Sequence, residues 1–271
     1  MTIAKPDFIE GVAKGMAVLE SFDTERQRLN ATLAAQRAGI TRAAARRHLL
    51  TLAHLGYLET DGSYFWLSAK VLRFSGSYLA SARLPRVVQP TLNRLAAQLP
   101  DAFSVAVLEG DAVVIIARSV ALAAQAGRDW DGANLAAPTA SRLLAHGLHL
   151  GARLPVHATS TGRVLLAALP KAAFQAWLQG RVLPRLTSHT ETDNAQFAKI
   201  IHTVRTQDHC IASEAHEIGV HAVAVPLRDM SGHTVAALNA VVSPERLKRQ
   251  AIAREVLPAL QDAARELRAL V

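Results

Sequence analysis

The stretch Ala38-Gly39-Ile40-Thr41-Arg42-Ala43-Ala44-Ala45-Arg46-Arg47-His48-Leu49-Leu50-Thr51-Leu52 decides how this chain is read. Gly39 suits the left-handed residue that closes a helix. Thr41 suits the N-cap of the next helix. Two helices separated by so short a link form a tight helical corner. On the second, Arg42 to His54, the residues Ala45, Leu49, Leu52 and Leu55 recur at steps of three and four and define a buried face. Arg42, Arg46, Arg47 and Thr51 are left largely to the other faces.

Upstream, residues 31–38 read as a short helix with Asn30 as its N-cap. Residues 9–22 carry Ile9, Val12, Met16, Leu19 and Phe22 in helical phase, with Asp7 placed to cap them. Downstream, Tyr57-Leu58-Glu59-Thr60 and Tyr64-Phe65-Trp66-Leu67 flank Asp61-Gly62-Ser63, the pattern of a β-hairpin. Helix, helix, tight turn, helix, hairpin is the order of a winged helix-turn-helix. In that motif the second helix of the pair enters the major groove of DNA by its N-terminal residues. Arg42 and Arg46, four apart, share a face, and an arginine fork suits guanine O6 and N7. Ala43 permits close approach, while Thr41 and Arg47 are placed for phosphates. The Asp61-Gly62-Ser63 wing is placed to touch the flanking backbone.

Charge agrees with this reading. The chain of 271 residues carries a formal charge of +8, and no acidic residue lies between Glu25 and Glu59. Within that interval stand Arg26, Arg28, Arg37, Arg42, Arg46 and Arg47. A basic block of this kind is a footprint for a polyanion, and the alternative is a solvated basic face without a partner. Half of the residues are apolar, as in a globular chain. The length suggests two domains. The lone cysteine, Cys210, excludes an intrachain disulfide or a cysteine-rich zinc site. Without a signal-peptide pattern or an apolar membrane span, a cytoplasmic protein is expected.

Residues 68–84 read as a helical linker, with Pro85 at a boundary. Residues 86–99 are helical. After Pro100 the pattern shifts to strands: Phe103–Leu108 with Val113–Ala117, and Val220–Leu227 with Thr234–Val242, with 141–149 as a further strand. Helices are expected over 160–169, 171–179 and 194–207, and one long helix over 245–270 that bends at Pro258. The expected organisation is α+β: a winged helix-turn-helix over 1–67, a linker helix over 68–84 and an antiparallel-sheet domain over 85–271. Residues 120–140 read as a surface insertion, either an idle loop or a lid.

The second part lacks G-x-S-x-G, P-loop, G-x-G-x-x-G and H-E-x-x-H patterns. Its nine histidines form no convincing ligand set, so neither metal nor cofactor is expected. The more informative stretch is Pro155-Val156-His157-Ala158-Thr159-Ser160-Thr161-Gly162-Arg163-Val164-Leu165-Leu166. Small hydroxyl residues and a glycine open a helix there, and free N–H groups at a helix N-terminus attract anions. Thr159 or Ser160 as a plain N-cap is the competing reading, and both can hold. Gly162 is expected to let a ligand come close. Arg118, Arg142 and Arg163 are candidates to pair with a carboxylate, or else are structural arginines.

Three segments together resemble the IclR family of bacterial transcription regulators. They are Ala38 to Leu52 with Leu55-Gly56-Tyr57-Leu58, then Gly151-Ala152-Arg153-Leu154-Pro155 through Ala167, and Gly219-Val220-His221-Ala222 through Asn239. The likeness spans nearly the whole chain and is greatest to the subgroup controlling aromatic-acid catabolism, which includes regulators of p-hydroxybenzoate, protocatechuate and β-ketoadipate pathways. It implies a GAF-like effector domain that holds a small organic acid, a double-stranded DNA operator, and a homodimer or homotetramer joined partly through the winged helix and linker. The implied effector positions are Thr159, Ser160, Thr161, Gly162 and Arg163, then Glu214, His216, His221 and Ala222, and finally Asn239 and Val241. Several relatives carry a thiol or hydroxyl where this chain has Ala222, Asn239 and Val241. The competing classes are a catalytic domain fused to a DNA-binding module, and a DNA-binding protein whose second domain only oligomerises.

Overall fold

The structure is a computed structural model that describes residues 4–23, 26–119, 149–248 and 250–271. It divides into two compact units, Met1–Ser81 and Ala82–Val271.

The first unit runs α1 (Glu10–Glu20), α2 (Ala31–Ala38), α3 (Arg42–His54), β1 (Leu58–Thr60), β2 (Phe65–Leu67) and α4 (Leu72–Ser81). Local chemistry sets the corner between α2 and α3. The Asn30 side chain accepts from the Thr32 and Leu33 N–H groups at the start of α2. Gly39 closes α2 at φ +64°, where a Cβ would be strained. Thr41 Oγ1 then accepts from Ala44 N, 3.3 Å away, and opens α3. Val18, Leu29, Ala34, Ala45, Leu49, Leu52 and Leu58 bury together in one core. Leu55, one residue past α3 as expected, departs from expectation in being 49% exposed. Asp7 does not cap α1, because it is held in a 3-10 turn, Lys5–Asp7, and the N-cap is Ile9. The hairpin pairs Leu58 with Leu67 and Thr60 with Phe65. Ser68 starts a 3-10 turn that leads into α4, which buries none of its residues in this chain.

The second unit is an antiparallel sheet of order β5-β4-β3-β8-β7-β6. Its elements are α5 (Arg83–Gln98), β3 (Ala102–Glu109), β4 (Ala112–Arg118), β5 (Arg153–Pro155), α6 (Ser160–Ala168), α7 (Lys171–Leu178), α8 (Asn194–Gln207), β6 (Cys210–Ser213), β7 (His221–Arg228), β8 (Thr234–Val242), α9 (Pro244–Lys248) and α10 (Leu257–Leu267). Side chains alternate across a strand, so the sheet has two apolar faces. Phe103, Val105, Val223, Val225, Leu238 and Ala240 pack with α5 and α10. Ala106, Ala224 and Ala237 pack with α6 and α8. Pro85 lies in the first turn of α5, where a missing N–H costs nothing.

The short strand β6 escapes the sequence pattern. Residues 120–148, which hold the expected insertion and nearly all of the expected strand over 141–149, lie outside the described residues. The expected continuous C-terminal helix is broken. After α9 the backbone turns through Gln250 at φ +57° and a π-helical turn, Ile252–Val256, before α10 begins. The break lets Ile252, Val256 and Leu260 all bury against the sheet. Pro258 directly follows this π-helical turn, within helical backbone that runs without interruption over 251–267. Arg246, on α9, grips the buried Asp101 carboxylate through two hydrogen bonds, 3.1 and 2.9 Å, and also pairs with Glu255. Burial pushes the Asp101 carboxyl above its usual range, and the Arg246 guanidinium pulls it back down.

Candidate DNA-reading helix and ligand cavity

On α3 the residues Arg42, Ala43, Arg46, Arg47 and Leu50 form one exposed strip, with Thr41 exposed at its head. Among the described residues, none of these three arginines has an acidic partner. Two other arginines of the unit are paired. Arg37 pairs with Asp23. Arg28 pairs with Asp61 at 2.5 Å and lies 4.6 Å from the Trp66 ring centroid. The α3 strip is therefore uncompensated positive charge on a rigid helix, the form of surface that displaces counterions from phosphates. The wing is less free. The Asp61 carboxylate accepts from the Ser63 and Tyr64 N–H groups, which hold its carboxyl below the usual range, with Arg28 adding to the effect.

In the second unit a cleft of about 600 Å³, its solvent-filled mouth included, opens between the α6 N-terminus and the sheet. The expected residues Thr159, Ser160, Thr161, His216, Ala222, Asn239 and Val241 all line it. Ligand pockets are mostly apolar with a few polar groups, and here Leu154, Ala158, Ala212, Ala215 and Val220 supply the apolar wall. These five, with Glu217, escaped the sequence reading. Ala212 belongs to β6, a strand the pattern did not reveal, and alanine carries no signal of its own.

Four expected residues lie elsewhere. His221 shares the parity of Val223 and Val225 on β7 and pairs across to Val242, so it faces α5 and α10, behind the cleft. Its Nδ1 is buried without a partner. Glu214, at φ +56°, braces a loop: its Oε1 accepts from Gly219 N at 2.9 Å, and Thr187 Oγ1 donates to its carbonyl. Gly162 packs on backbone: a Cβ there would lie 2.0 Å from the Val156 carbonyl oxygen. The glycine thus serves helix packing, and ligand approach does not explain it. Arg163 is buried, and its Nε donates to the His157 carbonyl at 2.9 Å. Its guanidinium neighbours the Cys210 thiol, which burial nevertheless drives up to about 11. Of the other candidate cations, Arg142 lies outside the described residues. Arg118 is half-buried on β4 opposite Ser104.

The α6 N-terminus has both expected properties. Thr159 Oγ1 caps it by accepting from Gly162 N at 3.1 Å. The N–H groups of Ser160 and Thr161, the first two of the helix, have no acceptor within it. The Ser160 hydroxyl has no partner among the described residues, although the residue is 1% exposed. His216 also lines the cleft, and burial lowers its imidazole below the ordinary value, with Glu217 opposing. The described residues contain no cluster suited to a metal ion, and none of their helices is long and apolar enough to cross a membrane.

A winged helix-turn-helix with an open basic strip, followed by a cavity-bearing α+β unit, defines a DNA-binding transcriptional regulator. The IclR helix-turn-helix domain matches residues 11–62, and the bacterial transcriptional regulator IclR C-terminal domain matches residues 135–269. The chain is 48% identical over 266 residues to the Pca operon regulatory protein of Acinetobacter baylyi, covering 98% of this chain and 90% of that protein. It is 46% identical over 269 residues to the p-hydroxybenzoate hydroxylase transcriptional activator of the same organism, covering 99% and 94%. Among solved structures, a double mutant of the PobR inducer-binding domain from Acinetobacter, in complex with 3-hydroxybenzoic acid, superposes with a TM-score of 0.59. It has 41% identity and covers 70% of this chain and all of its own. The chain belongs to the IclR family of bacterial transcriptional regulators.

Proposed function

We propose that this chain controls genes for the breakdown of hydroxylated aromatic acids, by binding such an acid in the cleft beside α6. The cleft carries the reading. Its walls are chiefly alanine, valine and leucine, as a flat ring requires, and one end is an open helix N-terminus with hydroxyl groups, as a carboxylate requires. The Acinetobacter PobR inducer-binding domain in complex with 3-hydroxybenzoic acid, 41% identical, supports this class of effector, and the regulators of the Pca operon and of p-hydroxybenzoate hydroxylase, both nearly half identical over almost the whole chain, support this class of controlled genes. Thr159, Ser160, Thr161, His216, Ala222, Asn239 and Val241 form the effector site in this reading. Arg163 holds the loop behind it.

Thr41, Arg42, Ala43, Arg46 and Arg47 meet double-stranded operator DNA. Residues 1–67 read DNA, 68–84 link, and 85–271 hold the effector. The active species is a homodimer or homotetramer, so paired half-sites are expected. Ile9, Val12 and Met16 on or beside α1, and Leu72, Phe74 and Tyr78 on α4, are large exposed apolar residues that a second copy would cover. Effector control requires that the acid bind one arrangement of that assembly more tightly than another.

The test is sequencing of genomic DNA fragments retained by the purified protein, with and without 4-hydroxybenzoate and 3,4-dihydroxybenzoate. Fragments upstream of aromatic-ring-cleavage genes, with occupancy changed by an acid, are the expected result. A variant with Arg42, Arg46 and Arg47 all replaced by Ala should lose those fragments, and binding by the parent should fall steeply with salt. Retention of the same fragments by the triple variant would overturn the α3 assignment.

A further inference from the structure

Asn239 lies in the middle of β8 with its side chain on the α6 face, and it is only 6% exposed. Directly across the ladder on β3 is Ser104, on the same face and 5% exposed. The Ser104 hydroxyl donates to Asn239 Oδ1. That bond consumes the acceptor end of the amide and leaves Nδ2, with its two N–H groups, without a partner among the described residues. Asn239 lines the cleft, and its neighbours on this face are the short side chains of Ala222, Ala224 and Val241. Nδ2 is not among the fully buried unpaired atoms, so it meets the solvent of the cleft; a ligand that displaces that solvent must offer an oxygen in return or leave the donor unsatisfied.

Besides His216 and Glu217, the cleft thus carries two polar features of different character on different elements. The α6 N-terminus carries a partial positive charge and suits an anion. The Asn239 amide is neutral and suits a neutral oxygen. We propose that Asn239 reads the ring hydroxyl of the bound acid and that Ser104 is the positioning residue that holds the amide nitrogen towards it. The inference rests on the proposed effector reading and deepens it. Sequence alone draws no attention to Ser104, because a serine inside an apolar strand has many uses and its partner lies 135 positions away.

Calorimetric titration of the full-length protein with benzoate, 3-hydroxybenzoate and 4-hydroxybenzoate tests it. The parent should prefer at least one hydroxybenzoate over benzoate. In Ser104→Ala, Asn239→Ala and Asn239→Asp that preference, read as the ratio of hydroxybenzoate to benzoate affinity within each variant, should fall by roughly fivefold, the worth of one hydrogen bond. Ser104→Thr keeps the hydroxyl and should keep the preference. General damage to the fold would weaken all three acids together and lower the melting temperature, which is measured alongside. An unchanged preference in Ser104→Ala and Asn239→Ala, equal weakening of every acid, or no hydroxyl preference in the parent would overturn the assignment. So would Asn239→Asp binding a hydroxybenzoate as well as the parent, because the group facing the ligand would then be an acceptor. Failure of the parent to bind any of the acids would instead remove the effector reading itself.

Discussion

Replacing Gly162 by alanine is the sharpest test of how the cleft is built. The added Cβ would stand 2.0 Å from the Val156 carbonyl oxygen and 2.6 Å from its carbonyl carbon and Cα. A carbon and a carbonyl oxygen ordinarily keep about 3.3 Å apart, so α6 must recede by roughly 1.3 Å. No side chain can rotate away, since the obstruction is backbone. Overpacking of this kind costs up to about 3 kcal/mol. Alanine inside a helix regains about 1 kcal/mol over glycine. The net loss is therefore about 2 kcal/mol, or a fall in melting temperature of roughly 4–8 °C for a unit of this size. Gly76→Ala in α4, where nothing lies within 4 Å of the new Cβ, is the matched control and should be neutral or stabilising. Thermal unfolding followed by circular dichroism reads both. Because α6 forms one wall of the cleft, Gly162→Ala should also weaken acid binding. A Gly162→Ala protein that melts no lower than the parent would refute the close packing of α6 on the 155–158 turn.

Two further outcomes follow from buried charge. Arg246→Ala strands the Asp101 carboxylate, whose side chain is wholly buried, and should cost about 3 kcal/mol. Arg246→Lys keeps the charge but not the two-pronged geometry and should recover only part of that, as denaturant melts will show. The His157 imidazole is held below its ordinary value chiefly by burial, against the hydrogen bond it donates to the Pro184 carbonyl. The folded state therefore keeps it neutral while the unfolded chain takes up a proton near pH 6.5. Its contribution is complete above that pH and declines as pH falls, by up to about 1.4 kcal/mol at pH 5.5. His157→Gln should flatten the dependence of melting temperature on pH between 7 and 5.5, and an unaltered slope would show that the imidazole takes up its proton as readily in the fold as in the unfolded chain.

The winged helix-turn-helix was legible because its signals are local. Asn30, Gly39 and Thr41 cap and close helices within a few residues of themselves, and the structure places each in that role. The long strands were legible from apolar runs flanking turns. β6 was not, since four residues cannot display a period. The C-terminal break was hidden because residues on both sides of Gln250 are good helix formers, and only burial against the sheet favours the turn. In the cleft, the α6 terminus was readable as a cap followed by open N–H groups. His221 was misplaced because nearness in sequence to Ala222 says nothing of which face a strand shows, and a one-residue step reverses it. Gly162 and Arg163 sit in a motif that suggests ligand contact, yet their immediate partners are the Val156 and His157 carbonyls.

The alanine lining of the cleft has a consequence for how such a sensor diversifies. Ala158, Ala212, Ala215 and Ala222 meet the cavity with a single methyl each. Enlarging any of them subtracts room for the guest, and the residues packed beneath keep their places. Chemical taste can therefore drift by the addition of a carbon or two at one position, and the scaffold that carries it is left undisturbed.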